Sequence, residues 1–171
     1  LAIDNDPDAV AILITPSRRL ACQVQAASAK ILAELKLPVA EKSLASQGAI
    51  ILTRDLNDAV EVANALAPEH LTLLGDAIDK LSRIRAAGSI FLGGYSPVAA
   101  GDYASGTNHI LPTGGAARRR GGLSAADFVK TISVQRLSQR GLARLRKPLV
   151  TLANTEGLKA HAYSVEERFH S

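Results

Sequence analysis

Apolar residues along this chain fall into two kinds of block that take turns. Short runs rich in β-branched residues, VAILIT (10–15), AIILT (49–53), HLTLLG (70–75) and SIFLG (89–93), have the length and makeup of buried strands. Between them the apolar positions recur at steps of three or four. Pro16-Ser17 signals a helix start, and Leu20, Val24, Ala27, Ile31 and Leu35 then lay one stripe along a helix that ends before Pro38. Asp55 can cap a second helix whose inward face is Leu56, Val60, Ala63 and Leu66, and a third helix near 76–85 carries Ile78, Leu81 and Ile84. Strands alternating with helices predict crossover connections, hence an α/β fold with a mostly parallel sheet and helices on its faces.

From about residue 94 this rhythm stops. Gly, Pro, Ser and Asn crowd the stretch to 122, which reads as one long loop. Beyond it, Leu123-Ser124 opens a helix with Ser124 as cap and Asp127 in the first turn, and ISVQRLS (132–138) reads as a strand. The remainder is helical: Leu142, Leu145, Leu149 and Leu152 share a face, Pro148 breaks or starts a turn, and Gly157 sets off a last segment, LKAHAYSVEERF. The chain therefore divides into an α/β part-domain over 1–122, with a loop at 94–122, and a mainly helical segment over 123–171.

Composition narrows the class. Of the 171 residues 47% are hydrophobic, enough for a sizeable core. The net charge of +4 comes from scattered Lys and Arg with one RRR cluster, which does not mark a nucleic-acid protein. Cys22 is the single cysteine, so there is no disulfide framework, as suits the cytoplasm. No apolar run reaches the roughly 18 residues of a membrane span, and the first nine residues lack the blocks of a secretion signal. With no Met at position 1, the sequence is expected to start partway through a longer product.

A structureless loop longer than about 15 residues in a compact domain is usually functional or disordered. This one has apolar anchors in Tyr95, Val98, Tyr103, Ile110 and Leu111, and glycines that allow close backbone approach to a ligand. Its plainer reading is a surface Ω-loop that satisfies its own backbone. Glu69-His70, after Pro68, sits at the mouth of an expected strand, where open parallel sheets collect ligands. On extended backbone the two side chains point apart, so they flank a reacting centre rather than bond each other, unless His70 is merely packed at a strand edge. His161, with Glu156 five positions earlier across Gly157, reads as readily as a solvated helix residue. Asp102, His109 and His161 are types that a divalent cation accepts, and His70 could join them or act as base, although only a fold could gather them. Neither a G-x-G-x-x-G turn nor a Walker loop is present, and RRR reads as a solvated turn.

Longer stretches carry a resemblance. NALAPEHLTLL (64–74), AGSIFLGGYSPVAAGDYASGTNHILPTGGAAR (87–118), GLSAADFVKTISVQRLS (122–138) and LANTEGLKAHAYSVEER (152–168) resemble the C-terminal half of histidinol dehydrogenase, and the match covers nearly the whole chain. The resemblance implies an incomplete Rossmann-like layer followed by a small helical tail. It also implies an NAD-dependent, zinc-containing homodimer that oxidises L-histidinol through the aldehyde to L-histidine by two successive hydride transfers. Residue by residue, it makes Glu69 and His70 of PEHL the acid–base pair, with His70 taking the alcohol proton and also touching substrate, and Glu69 activating water. Asp102 of GDY and His161 of AHA would bind zinc and substrate, while His109 and Glu156 would hold the substrate. The tail would complete the neighbouring subunit's site.

Two departures qualify what the resemblance implies. Family members are more than twice this long, and their N-terminal half supplies most of the NAD site, so no cofactor-binding residue is assigned. Two further family zinc ligands, a Gln and a His, fall in register on Ala2 and Asn5, which replace them poorly. The alternatives are a related zinc- and NAD-dependent dehydrogenase of another polar alcohol, opposed by His109 and Glu156, and a non-catalytic module that has kept the fold. A half-protein is also expected to leave apolar sheet edge and helix face uncovered.

Overall fold

The structure, a computed structural model, describes residues 6–170. Ala2 and Asn5 lie outside the described residues. The chain forms two compact units, the first running to Phe128 and the second beginning at Val129.

In the first unit, strand β1 (Ile12–Thr15) leads to helix α1 (Arg18–Leu35), helix α2 (Pro38–Gln47) and strand β2 (Ala49–Leu52). Ser17 caps α1 by accepting from the Leu20 N–H at 3.2 Å, as the Pro-Ser signal predicts. Pro38 does not merely follow a helix end: it occupies the first turn of α2, where a missing N–H costs nothing, and α2 is an element the sequence reading lacked. Strands β1 and β2 pair in parallel, Ile12 opposite Ala49 through Thr15 opposite Leu52.

Asp55 caps helix α3 (Leu56–Leu66), its carboxylate accepting from the N–H groups of Asn57 and Asp58 at 2.7 and 2.8 Å. Strand β3 (His70–Leu73) follows, and a 3-10 helix at Gly75–Arg83, where an α-helix was expected, leads to strand β4 (Ser89–Leu92). Strands β3 and β4 also pair in parallel, with His70 opposite Ser89. The strands thus form two separate two-stranded sheets instead of one continuous sheet.

The stretch 94–122 is not wholly a loop. Helix α4 (Val98–Tyr103) and a 3-10 turn at Ala116–Arg118 interrupt it. The helix expected from 123 shrinks to one 3-10 turn, Ala125–Phe128. There the capping runs backwards: Asp127 accepts from the Ser124 N–H at 2.7 Å, and that bond, with the nearby Arg120 charge, holds the Asp127 carboxyl below its usual range.

Helix and sheet faces in this unit remain partly uncovered. Leu20, Ile31 and Leu35 of α1 and Ile50 and Leu52 of β2 are exposed, while the buried apolar residues are mostly alanines, with Val60, Leu73 and Phe91 the larger members. Small side chains let backbones approach closely. Ala67, Ala86 and Ala117 form one such contact, joining the end of α3, the approach to β4 and the 116–118 turn.

The second unit opens with residues 129–138, which form no strand where one was expected at 132–138; Ile132 and Val134 are largely exposed there. Helix α5 (Gln139–Thr155), capped by Ser138, packs against helix α6 (Lys159–Glu166) through the buried Ala153 and Ala162. Pro148 neither starts nor ends a helix but lies inside α5, on an exposed face where the carbonyl it cannot bond is left to water. Gly157, at φ 74°, turns the chain, with Gly157 N–H bonding the Asn154 carbonyl at 3.1 Å and Leu158 N–H the Ala153 carbonyl at 2.7 Å. Those two bonds are the paired closure of a Schellman turn. Among the described residues no helix is long and apolar enough to cross a membrane.

Candidate active site

The turn after α3 sets the first pair of candidate residues. Ala67 closes the helix in the left-handed region, at φ 51°, and is 1% exposed. It delivers Pro68, Glu69 and His70 to the start of β3, where the Pro68 and Glu69 carbonyls accept from the Gly88 and Ser89 N–H groups at 2.9 and 2.8 Å. A Cβ at Gly88 would stand 2.6 Å from the Glu69 carbonyl oxygen and 3.0 Å from Cδ of Pro112, so only glycine lets these three segments meet. Asn64, on α3, fixes the far side. Its side chain accepts from the Arg85 and Ala86 N–H groups and donates to the Arg83 carbonyl.

Glu69 Oε1 lies 4.0 Å from His70 Nδ1, too far for a hydrogen bond, and both groups are partly accessible. His70 Nε2 is different: it is buried and has no hydrogen-bond partner. The ring stacks on Phe91, with centroids 6.0 Å apart and planes at 29°. Register explains the contact. His70 faces Ser89, and Phe91 is two residues further along β4, hence on the same side of the sheet.

The second pair comes from the glycine-rich stretch. Asp102 is carried by α4, and its Oδ1 lies 2.9 Å from His109 Nδ1. His109 is largely exposed, with its ring held by that bond, while Asp102 is mostly covered. What holds so pliable a segment is a set of local ties. Thr107 donates to the Gly101 carbonyl at 3.1 Å, Asn108 accepts from the Ile110 N–H at 2.8 Å and donates to the Leu123 carbonyl, and Leu123 N–H closes on the Ile110 carbonyl at 2.9 Å. Arg118, first of the RRR cluster, donates to the Ala65 and Gly115 carbonyls and anchors the segment to α3.

The first and second pairs share a neighbour. A Cβ at the buried Gly101 would lie 2.7 Å from Cε1 of Phe91, so α4 rests directly on the ring that stacks against His70. The third pair belongs to the second unit. Glu156 ends α5 and His161 lies on α6, and both line one shallow cleft of about 240 Å³ with Leu149, Leu158 and Val165.

Phe91, Gly88 and Asn64 have no site role in the sequence pattern, whereas Gly101 is one of the loop glycines expected to allow close approach, and what approaches it is the Phe91 ring. Of the first three, Phe91 alone left a trace in the sequence, as the one aromatic in a strand whose register places it beside His70.

A family model for histidinol dehydrogenase matches residues 2–169. The chain belongs to the histidinol dehydrogenase family. It is 46% identical over 167 residues to histidinol dehydrogenase of Methanothermobacter thermautotrophicus, which covers 96% of this chain and 39% of that protein. Histidinol dehydrogenase 1 of Nostoc is 47% identical over the same shares of each chain. The crystal structure of histidinol dehydrogenase from Elizabethkingia anophelis superposes with a TM-score of 0.88 at 32% identity, covering 98% of this chain and 39% of that one. The chain thus spans about two-fifths of the length of these histidinol dehydrogenases. The mixed α/β architecture with short parallel sheets is that of the family.

The zinc and NAD implied for the family meet an incomplete setting in this chain. One Asp102 oxygen is engaged by His109, and among the described residues no three His, Cys, Asp or Glu side chains gather as a metal centre needs. The turn between β1 and α1 is Pro16-Ser17, with Ser17 spending its hydroxyl on its own helix, and offers no glycine cradle for a pyrophosphate.

Proposed function

We propose that this chain is the part of a histidinol dehydrogenase that carries its proton-handling residues, in an NAD-dependent oxidation of L-histidinol through histidinal to L-histidine. The observation that carries the reading is His70 Nε2, a buried ring nitrogen with no partner beside an accessible carboxylate at the mouth of β3. Buried polar atoms in folded proteins are almost always paired, so an orphan at a strand mouth fits a group whose partner is a ligand. A substrate hydroxyl is such a partner.

In this reading His70 Nε2 accepts the alcohol proton in the first oxidation. Glu69, held 4.0 Å from the ring and free of it, deprotonates the water that adds to the aldehyde before the second. His109, with its Nδ1 fixed by Asp102, presents Nε2 outward to hold the substrate, and Glu156 and His161 do the same from their shared cleft. Asp102 and His161 are the residues proposed for zinc; with the donor set incomplete, no step is routed through the metal, nor through NAD. A homodimer, in which the helical tail completes a partner's site, and a cytoplasmic location belong to the same proposal.

The test is histidinol-dependent reduction of NAD by a full-length protein carrying this segment, with and without zinc. His70→Asn is expected to lower kcat by about 10²- to 10⁴-fold. The segment alone is expected to give no turnover. Full activity in His70→Asn overturns the assignment.

A further inference from the structure

Phe91 is 7% exposed and touches two functional elements at once. One face stacks against the His70 imidazole at a centroid distance of 6.0 Å, within the 4.5–7 Å range of productive aromatic pairs. Its edge, at Cε1 and Cζ, meets Gly101, where an added Cβ would fall at 2.7 and 3.2 Å. Thr107 Oγ1 would also lie 2.9 Å from that Cβ, so the glycine is held from both sides. Its neighbour Asp102 carries the bond to His109.

His70 makes no hydrogen bond through Nε2, and Glu69 is too far from Nδ1 to fix the ring. Catalytic imidazoles are ordinarily oriented by a hydrogen bond to the second nitrogen. Here the stacked ring is what remains to do it. We infer that Phe91 is a positioning residue: clamped between Gly101 and His70, it sets the imidazole's orientation and couples it to the turn bearing Asp102. The inference rests on the reading of His70 as proton acceptor.

The mechanism is steric. Phe91 sits in a sheet with a backbone-bonded neighbour strand, so its ring moves only by changing rotamer. Gly101→Ala would push the ring edge, and the displacement passes to the imidazole on the other face. Phe91→Leu would leave the imidazole without a flat surface and free to sample rotamers. Phe91→Tyr keeps the ring.

Two measurements test this. The first uses the chain with isotope-labelled histidines and reads the nuclear Overhauser contacts of the His70 ring. One rotamer, with contacts to Phe91 and Ser89, is expected in the parent chain and in Phe91→Tyr. Averaged contacts are expected in Phe91→Leu and shifted His70–Ser89 contacts in Gly101→Ala, with the His161 and His170 rings unchanged. A parent chain lacking His70–Phe91 contacts, or a folded Phe91→Leu that keeps one His70 rotamer, overturns the inference. Should Phe91→Leu fail to fold, Gly101→Ala decides by the same contacts.

The second measurement uses a full-length protein carrying this segment. Phe91→Leu is expected to lower kcat by roughly 10- to 100-fold, as for a reacting group displaced by about an ångström, with KM within about threefold and activity rescued by Phe91→Tyr. An unchanged kcat, or a loss confined to KM, overturns it. The two failures separate cleanly: if His70→Asn stays active the proton-acceptor reading falls, while the rotamer contacts report on Phe91 regardless.

Discussion

The pairs β1–β2 and β3–β4 share a four-residue parallel register, but two helices join the first and a single 3-10 helix joins the second. Each pair has a buried side-chain polar atom beside it, and the two are treated in opposite ways. Ser43, on α2, is 0% exposed, and its hydroxyl donates to the Ala9 carbonyl at 2.7 Å, fastening α2 to the chain entering β1. His70, opening β3, is stacked but leaves Nε2 buried with nothing to bond. A satisfied buried hydroxyl serves the fold; an unsatisfied buried ring nitrogen costs the fold something, and the proposed role of His70 would repay that cost when a ligand arrives. The crossovers agree with this division. The helices of the first pair hold no adjacent Glu and His at a strand mouth, whereas at the second the Pro68–His70 mouth reaches α4, which carries Asp102, through the Phe91 ring.

The sharpest way to break this contrast is at Gly88, where the second pair is pinned. Gly88→Ala places a methyl 2.6 Å from the Glu69 carbonyl oxygen, a backbone atom that cannot swing aside, and 3.0 Å from the Pro112 ring. Overpacking of this kind costs about 1–3 kcal/mol, and because the obstacle is backbone the upper end is expected. Urea unfolding measures it. A loss below about 0.5 kcal/mol would show that β3 and β4 are held apart more loosely than their hydrogen bonds indicate.

Next comes the direct comparison of the two buried groups. Ser43→Ala strands the Ala9 carbonyl and is expected to cost about 1–2 kcal/mol, within the range for an orphaned buried partner. His70→Phe removes an orphan and keeps a stackable ring, so its unfolding midpoint is expected to stay the same or rise, while in a full-length protein carrying this segment the proposed oxidation of histidinol is expected to be lost. Equal destabilisation by the two substitutions would mean that His70 is simply another core residue.

The unequal legibility of the two pairs follows from what a sequence encodes locally. All four strands could be located because a β-branched run bounded by turn residues fixes length and burial together, and Ser17 and Asp55 marked their helices through bonds made within three residues. Helix α2 was hidden because Pro38 signals a stop and a start with the same ring. Segment 132–138 has a strand's composition, but composition does not make a ladder, and these residues pair with neither two-stranded sheet. At the site, Pro68-Glu69-His70 declared itself by chemistry at a strand mouth. The Asp102–His109 bond spans a helix end and a glycine turn, and the clamp on Phe91 depends on a glycine ten residues away, so both needed the folded backbone to become visible.

The second unit supplies a third kind of polar group, satisfied and half-buried, and the smallest expected effect. Arg146 donates to Glu166 Oε2 from Nε at 2.9 Å and also from its terminal nitrogen, joining α5 to α6, with its guanidinium 4.7 Å over the Phe169 ring. The hydrogen bonds from Arg146 hold the Glu166 carboxyl below its ordinary value of 4.5 and raise Arg146 in turn. A carboxyl whose folded pKa is depressed stabilises the fold above its unfolded pKa and loses that contribution as pH falls through the folded one. The difference in midpoint between the parent and Glu166→Gln is therefore expected to be constant from pH 7 to about 5, and to shrink as pH drops below the ordinary glutamate range. Both groups are partly accessible to water, so added salt at neutral pH is expected to shrink it as well. A difference that survives both acid and salt would mean that Glu166 acts through packing on α5 instead of through its charge, and this half-buried pair would then deserve the same weight as Ser43.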